Sequence, residues 1–183
     1  MHTVVERMHG EFNDLLSLLE EGGEISLRSV ADDNFRKSLL LCAASFFEKT
    51  LCEVVANFVQ KNSGNNPAII EFVKNKAIHR QYHTWFSWKE RNANSFFGLF
   101  GEEFKSHIVR KIKLDNKLED SIKSFMELGE QRNRLVHQDY GTFSLEKTSA
   151  EIFQLYNSAM SFVFSVEIFL DEFTRLSETG AQA

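Results

Sequence analysis

Proline is nearly missing from this chain. Pro67 stands alone in 183 residues, against eighteen Phe, a balance that suits helices and argues against a turn-rich sheet protein. Cysteine is scarce too. Cys42 and Cys52 fall ten residues apart in one expected helix, roughly 15 Å along its axis, too far for a disulfide between them. They read as buried thiols in a reducing compartment. No apolar run approaches the roughly 20 residues of a membrane span, and the charged, Gly-containing N-terminus lacks the pattern of a signal peptide. The expectation is a cytoplasmic protein without a membrane segment. Excess basic charge is also lacking: the formal charge is −5, which excludes a non-specific nucleic-acid coat but leaves room for a local basic site.

Such a local site is present in outline. From Lys74 to Lys113 there are nine Lys and Arg against three acids, so this stretch carries +6 and the remainder −11. The length suits one domain over 1–183 with a sizeable core. Val4, Val5, Met8, Phe12, Leu15, Leu16 and Leu19 predict an outer N-terminal helix within 1–24, ended by Gly22-Gly23. Asp32-Asp33 offer an N-cap for a long helix to about Lys61, with Leu40, Ala44, Phe47, Leu51, Val54 and Phe58 as its core stripe. Pro67 suits the first position of a helix to about Ile78. Further helices are expected from Glu102 to Lys113, from Asn116 to His137 with Asp115 as cap and Gly141 as a left-handed stop, and from Ser144 to about Leu176. The last is apolar enough to be central, or to contact both its own bundle and a second subunit. Residues 177–183 read as a frayed tail.

An aromatic and basic insert occupies 79–101. Arg80, Trp85, Trp88, Lys89 and Arg91 suit stacking on bases with phosphate charges nearby, and with Arg110, Lys111 and Lys113 they are candidate RNA-binding residues. The competing use, a Phe/Trp-rich flap closing one end of the bundle, takes precedence, and an ordinary solvated face serves equally well for the later Lys and Arg. His79 and His83 have the spacing of a metal pair, yet no Cys or acidic third ligand lies close in sequence, so no metal or other cofactor is assigned.

The segment that calls for a function is Glu127 to Tyr140, ELGEQRNRLVHQDY. Its flanks keep an apolar helical rhythm through Ile122, Phe125, Met126, Leu128, Leu135 and Val136, which Arg132, Asn133 and His137 interrupt. In a chain of this composition roughly 0.3 pairs of Arg and His at this spacing arise by accident, and about 0.02 once Asn must follow the Arg, so the extended pattern is the informative one. On a helix, Asn133 and His137 lie about 40° apart, close enough for Asn133 to fix the imidazole, whereas Arg132 is about 140° from His137. A bent helix end or a second subunit is needed to bring Arg132 and His137 to one phosphate. A two-fold interface meets that need with a composite site.

The RNRLVH segment, at the end of the penultimate long helix, resembles the RxxxxH signature of the HEPN superfamily in its RNxxxH form. LLLCAASFFEKTLCEVV in the second helix and NANSFFGLFGEEF further on resemble the RiboL-PSP-HEPN branch and its MAE-type nucleases, over roughly Asp32 to Glu172. The resemblance implies an all-α, up-and-down helical bundle of HEPN type with additional short helices, forming a homodimer. It implies a metal-independent RNA endonuclease, leaving 2',3'-cyclic phosphate and 5'-hydroxyl ends, in a toxin or phage-defence role. His137 would move the proton, Arg132 would neutralise charge on the phosphoryl oxygens, and Asn133 would orient either. Glu48, Arg134 and Tyr140 are candidate supporting residues. Glu48 matches an acidic position that would brace Arg132, and Arg134 is solvent-facing or a phosphate contact. Tyr140 departs from the pattern of branches with a Tyr two residues after the His. Beside the ribonuclease stand two other readings: a non-cleaving HEPN-fold dimer that binds RNA or a nucleotide, and a core histidine in an unrelated bundle. A nuclease able to cut host RNA also implies a restraining partner, an antitoxin or regulatory protein.

Overall fold

The computed structural model describes residues 2–180, with side chains to 177. Among the described residues there are eight α-helices and no strand. Helix α1 (Val4–Glu21) starts on a capping box in which Thr3 and Glu6 satisfy each other's backbone N–H groups. Tyr156 Oη donates to Thr3 Oγ1 at 2.8 Å, tying that start to the centre of the bundle.

Helix α2 (Ile25–Asn62) begins a full two turns earlier than Asp32. Gly23, at φ 73°, reverses the chain at once, so no long linker separates α1 from α2. Asp32 and Asp33 therefore lie inside the helix, where they pair with Arg36 and Lys37 rather than cap it. Leu40, Phe47 and Leu51 are buried as expected, but the inner stripe continues through Ala43 and Val55, leaving Ala44, Val54 and Phe58 half-buried. Cys42 and Cys52 are half-buried free thiols rather than fully buried ones.

Asn66 caps α3 (Pro67–Val73), and a wider π-type turn, Lys74–Ile78, follows it. The insert then folds as two short helices, α4 (Tyr82–Trp85) and α5 (Asn94–Gly98). Its aromatic side chains enter the core: Phe86 stacks on Phe96 with ring centroids 4.9 Å apart and meets Phe125 at the same distance. The insert is thus a Phe/Trp-rich flap packed against Phe125 in the core, away from the helix ends. Helix α6 (Glu102–Leu114) leads to α7 (Asn116–His137), capped by Asp115 on the N–H groups of Lys117 and Leu118. No left-handed glycine stops α7. Gln138 is extended, and Asp139 gathers the N–H groups of Gly141 and Phe143 into a turn.

Helix α8 (Ser149–Gly180) starts after Ser144, because Arg36 binds the carbonyls of Leu145 and Lys147 and holds that stretch out of a helix. Thr148 and Glu151 then form its capping box. The helix runs to Gly180, three residues into the stretch expected to be a frayed tail; residues 181–183 lie outside the described ones. Ser149–Ser177 has the length and mean hydropathy of a membrane span, against the expectation that no apolar run approaches one. Its inner face packs on α2 and α7, through Tyr156, Ala159, Phe162 and Val163. Ser121 Oγ accepts from the Phe162 N–H at 2.7 Å, and Ser124 shares a hydrogen bond with Ser158, which fixes α8 against α7. Phe164 and Ile168 remain outside, more than half exposed.

Candidate functional site around Arg132

The site grows from the crossing of α2 and α7. Arg132, one-third exposed, directs Nη1 to Asn133 Oδ1 at 3.1 Å and Nη2 toward Glu48 Oε2 at 3.9 Å. The guanidinium is thus oriented by an amide and a carboxylate, and its remaining N–H groups stay available to an anion. Asn133 binds Arg132, not the imidazole it was expected to fix.

A narrow cleft opens beside the pair, lined by Glu48, Tyr82, His83, Trp88, Gly129, Arg132 and Asn133, with room for little more than water. Burial pushes the Tyr82 phenol well above its usual pKa, Glu48 and Cys52 adding to the shift and Arg132 opposing it. Cys52 is pushed up to about 11 by burial, then by Glu48 and Glu53. Both groups therefore stay protonated at neutral pH.

His137 stands elsewhere. It is exposed at the end of α7, and its ring has no hydrogen bond or ion pair among the described residues. It does not line the cleft. Because α7 stays helical to His137, no bend brings Arg132 and His137 together within one chain. Val136, expected to be buried, is 45% exposed beside it. Arg134 is exposed, its guanidinium 5.7 Å from the Phe143 ring centre. Tyr140 is held from below: Lys37 Nζ donates to its carbonyl at 3.2 Å and lies 5.2 Å from its ring centre.

The basic candidates separate. Arg80, Lys89, Arg91, Arg110 and Lys113 are exposed. Trp85 is 4% exposed with its indole N–H on Ala77 O, so it has no face to offer a base. Trp88 is half-buried, its N–H given to His83 O. Lys111 is paired with Glu172 and lies over Phe169, which makes it a brace between α6 and α8 rather than a free phosphate contact. Arg91 and Lys113 share a cleft with Asn92, Asn94 and Ile122 near the start of α7, roughly 20 Å of helix before His137. His79 follows the π-type turn and His83 lies in α4, with Arg80 at φ 59° between them, so their spacing does not put them on one helical face. Among the described residues no group of three or more His, Cys, Asp or Glu is placed to hold a metal.

Sequence reasoning missed His83 and Gly129 as members of this site. A glycine inside a long apolar helix is the signal that points to Gly129, since it marks close approach of another group. Nothing local marks His83, whose place depends on the flap.

A family model described as RiboL-PSP-HEPN matches residues 6–172. No curated protein and no solved structure matches the chain.

Proposed function

The chain belongs to the RiboL-PSP-HEPN family of the HEPN superfamily, a membership that points to nuclease-like or RNA-related function, and from that premise we propose a metal-independent endoribonuclease acting in the cytoplasm. The observation that carries the proposal is the Arg132 guanidinium, oriented by Glu48 and Asn133 at the mouth of a cleft, about one and a half turns before an unpartnered, exposed His137.

That arrangement suits attack of a ribose 2'-oxygen on the adjacent phosphorus. Arg132 binds the non-bridging oxygens as negative charge grows on them. The His137 imidazole transfers a proton to or from the reacting oxygens. The 2'-O–P bond forms, the P–O5' bond breaks, and the 2'-OH proton is replaced by one delivered to O5'. Products are a 2',3'-cyclic phosphate and a 5'-hydroxyl. A homodimer gives His137 its way to a cleft, since in one chain it lies outside. Such an enzyme fits a toxin or phage-defence role under an antitoxin or regulatory partner.

The test is incubation with total RNA in EDTA beside Arg132→Ala and His137→Ala proteins of checked fold and mass. Cleavage by the wild type alone, with cyclic phosphate ends, is expected. Equal cleavage by all three points to another site or a contaminant. The separation of His137 from the cleft favours a second reading, a dimeric HEPN-fold scaffold that binds RNA or a nucleotide without cutting it. Retained RNA binding with no cleavage selects that reading.

A further inference from the structure

Transfer of a phosphoryl group from O5' to O2' moves two protons, one off the attacking oxygen and one onto the leaving oxygen. The motif supplies one imidazole per chain. We propose that His83, outside the motif, is the second proton-transfer group of the Arg132 cleft, supplied by the same chain as Arg132; this rests on the ribonuclease reading above.

His83 lines the cleft together with Arg132, Asn133 and Glu48. It is exposed, and its ring makes no hydrogen bond or ion pair among the described residues, so it is free to meet a ligand. Its backbone, by contrast, is fixed. Trp88 Nε1 donates to His83 O at 3.0 Å, and the neighbouring Tyr82 and Trp85 are buried in the flap. Trp88 in turn lies against Gly129, one turn of α7 before Arg132 and Asn133. The flap therefore sets the position of His83 relative to the guanidinium. A free imidazole on a rigid mount beside an oriented Arg is the arrangement general acid–base catalysis uses.

Geometry also separates the two imidazoles. His83 is carried by the flap of the chain that supplies Arg132, while that chain's own His137 lies outside the cleft, so the second imidazole enters from another chain on the dimer reading above. In-line displacement needs its proton donor and acceptor on opposite sides of phosphorus. With Arg132 holding the non-bridging oxygens, one imidazole removes the 2'-OH proton as the 2'-O–P bond forms. The other donates its proton to O5' as the P–O5' bond breaks. Water restores both protonation states afterwards.

The experiment compares wild type, His83→Gln and His79→Gln on an RNA oligonucleotide cleaved in EDTA, measuring kcat/KM against pH. Binding to the same oligonucleotide with 2'-O-methyl riboses is measured in parallel, with thermal melts as the control for folding. The His83 ring makes no hydrogen bond or ion pair among the described residues, so the variant is expected to fold. Expected for His83→Gln is a loss of about 10²-fold or more in kcat/KM, unchanged binding, and a bell-shaped pH profile reduced to one limb. His79→Gln keeps wild-type behaviour. Activity of His83→Gln within threefold of wild type, or a bell that keeps both limbs, overturns the proposal while leaving the ribonuclease intact. A loss matched by weaker binding assigns His83 to RNA binding and overturns it too. A wild type that cleaves no RNA removes the ribonuclease reading, and this proposal with it.

Discussion

Trp88 lies so close to Gly129 that a Cβ at that position falls 1.9 Å from the indole ring. The contact joins the flap to α7 one turn before Arg132, and it explains why a glycine is kept inside a 22-residue helix.

Gly129→Ala tests that contact against helix propensity. In an exposed helix interior the change stabilises by about 1 kcal/mol. Here the indole must move and take the flap with it, so a net destabilisation of about 1–3 kcal/mol is expected. A lower urea midpoint with red-shifted Trp emission confirms it; an unchanged or higher midpoint shows that the flap does not lock onto α7.

Glu48→Gln separates stability from chemistry. The Glu48–Arg132 pair is partly exposed and 3.9 Å long, so its loss should change stability by under about 1 kcal/mol. On the ribonuclease reading, cleavage should fall at least roughly tenfold because the guanidinium is no longer aimed. Denaturant titration beside RNA cleavage measures both. Cleavage at the wild-type rate means that Asn133 alone suffices to place Arg132.

Lys37 anchors the segment after His137. Its side chain is 4% exposed, with Nζ 3.0 Å from Asp33 Oδ2 and 3.2 Å from the Tyr140 carbonyl. Lys37→Met keeps the apolar stem and strands that carbonyl, at an expected cost of about 1–2 kcal/mol. Amide exchange should quicken in 138–148 while the centre of α8 stays protected. Uniform acceleration across the chain contradicts a local anchor.

Cys52 reports on the same region through pH. Its thiol is raised from 9.0 to about 11, by burial first and then by Glu48 and Glu53. At pH 8 the folded protein should hold about a hundredfold less Cys52 thiolate than the unfolded chain, and alkylate correspondingly slowly. Because the folded state holds this proton more tightly, the associated stability is fully present below pH 9 and is lost as pH rises through about 11. Mass-spectrometric mapping of alkylation against pH distinguishes Cys52 from Cys42. Glu48→Gln should shift the Cys52 midpoint downward, and a midpoint near 9 in the folded protein rules out the burial described here.

Helix order and the motif's place at the end of α7 were legible in the sequence, because apolar periodicity, Asp115 as a cap and Pro67 at a helix start act within a few residues. Boundaries shifted where a distant group outweighed the local signal. Arg36 takes the Leu145 and Lys147 carbonyls, so α8 begins at Ser149 and not at Ser144; the start of α2 moved instead because Gly23 turns the chain at once, which leaves Asp32 and Asp33 inside the helix as near neighbours of Arg36 and Lys37.

By itself, then, the sequence determined an all-helical chain carrying Arg132, Asn133 and His137 on one helix. Tertiary structure alone decided that Arg132 turns to Glu48 and Asn133, that His137 faces solvent outside the cleft, that Trp85 is spent on the core, and that His83 enters the cleft. The physical reason is range. Helical periodicity and capping are properties of neighbouring residues, whereas the direction of a long cationic side chain is set by whichever carboxylate, amide or ring the packing of distant helices brings within reach.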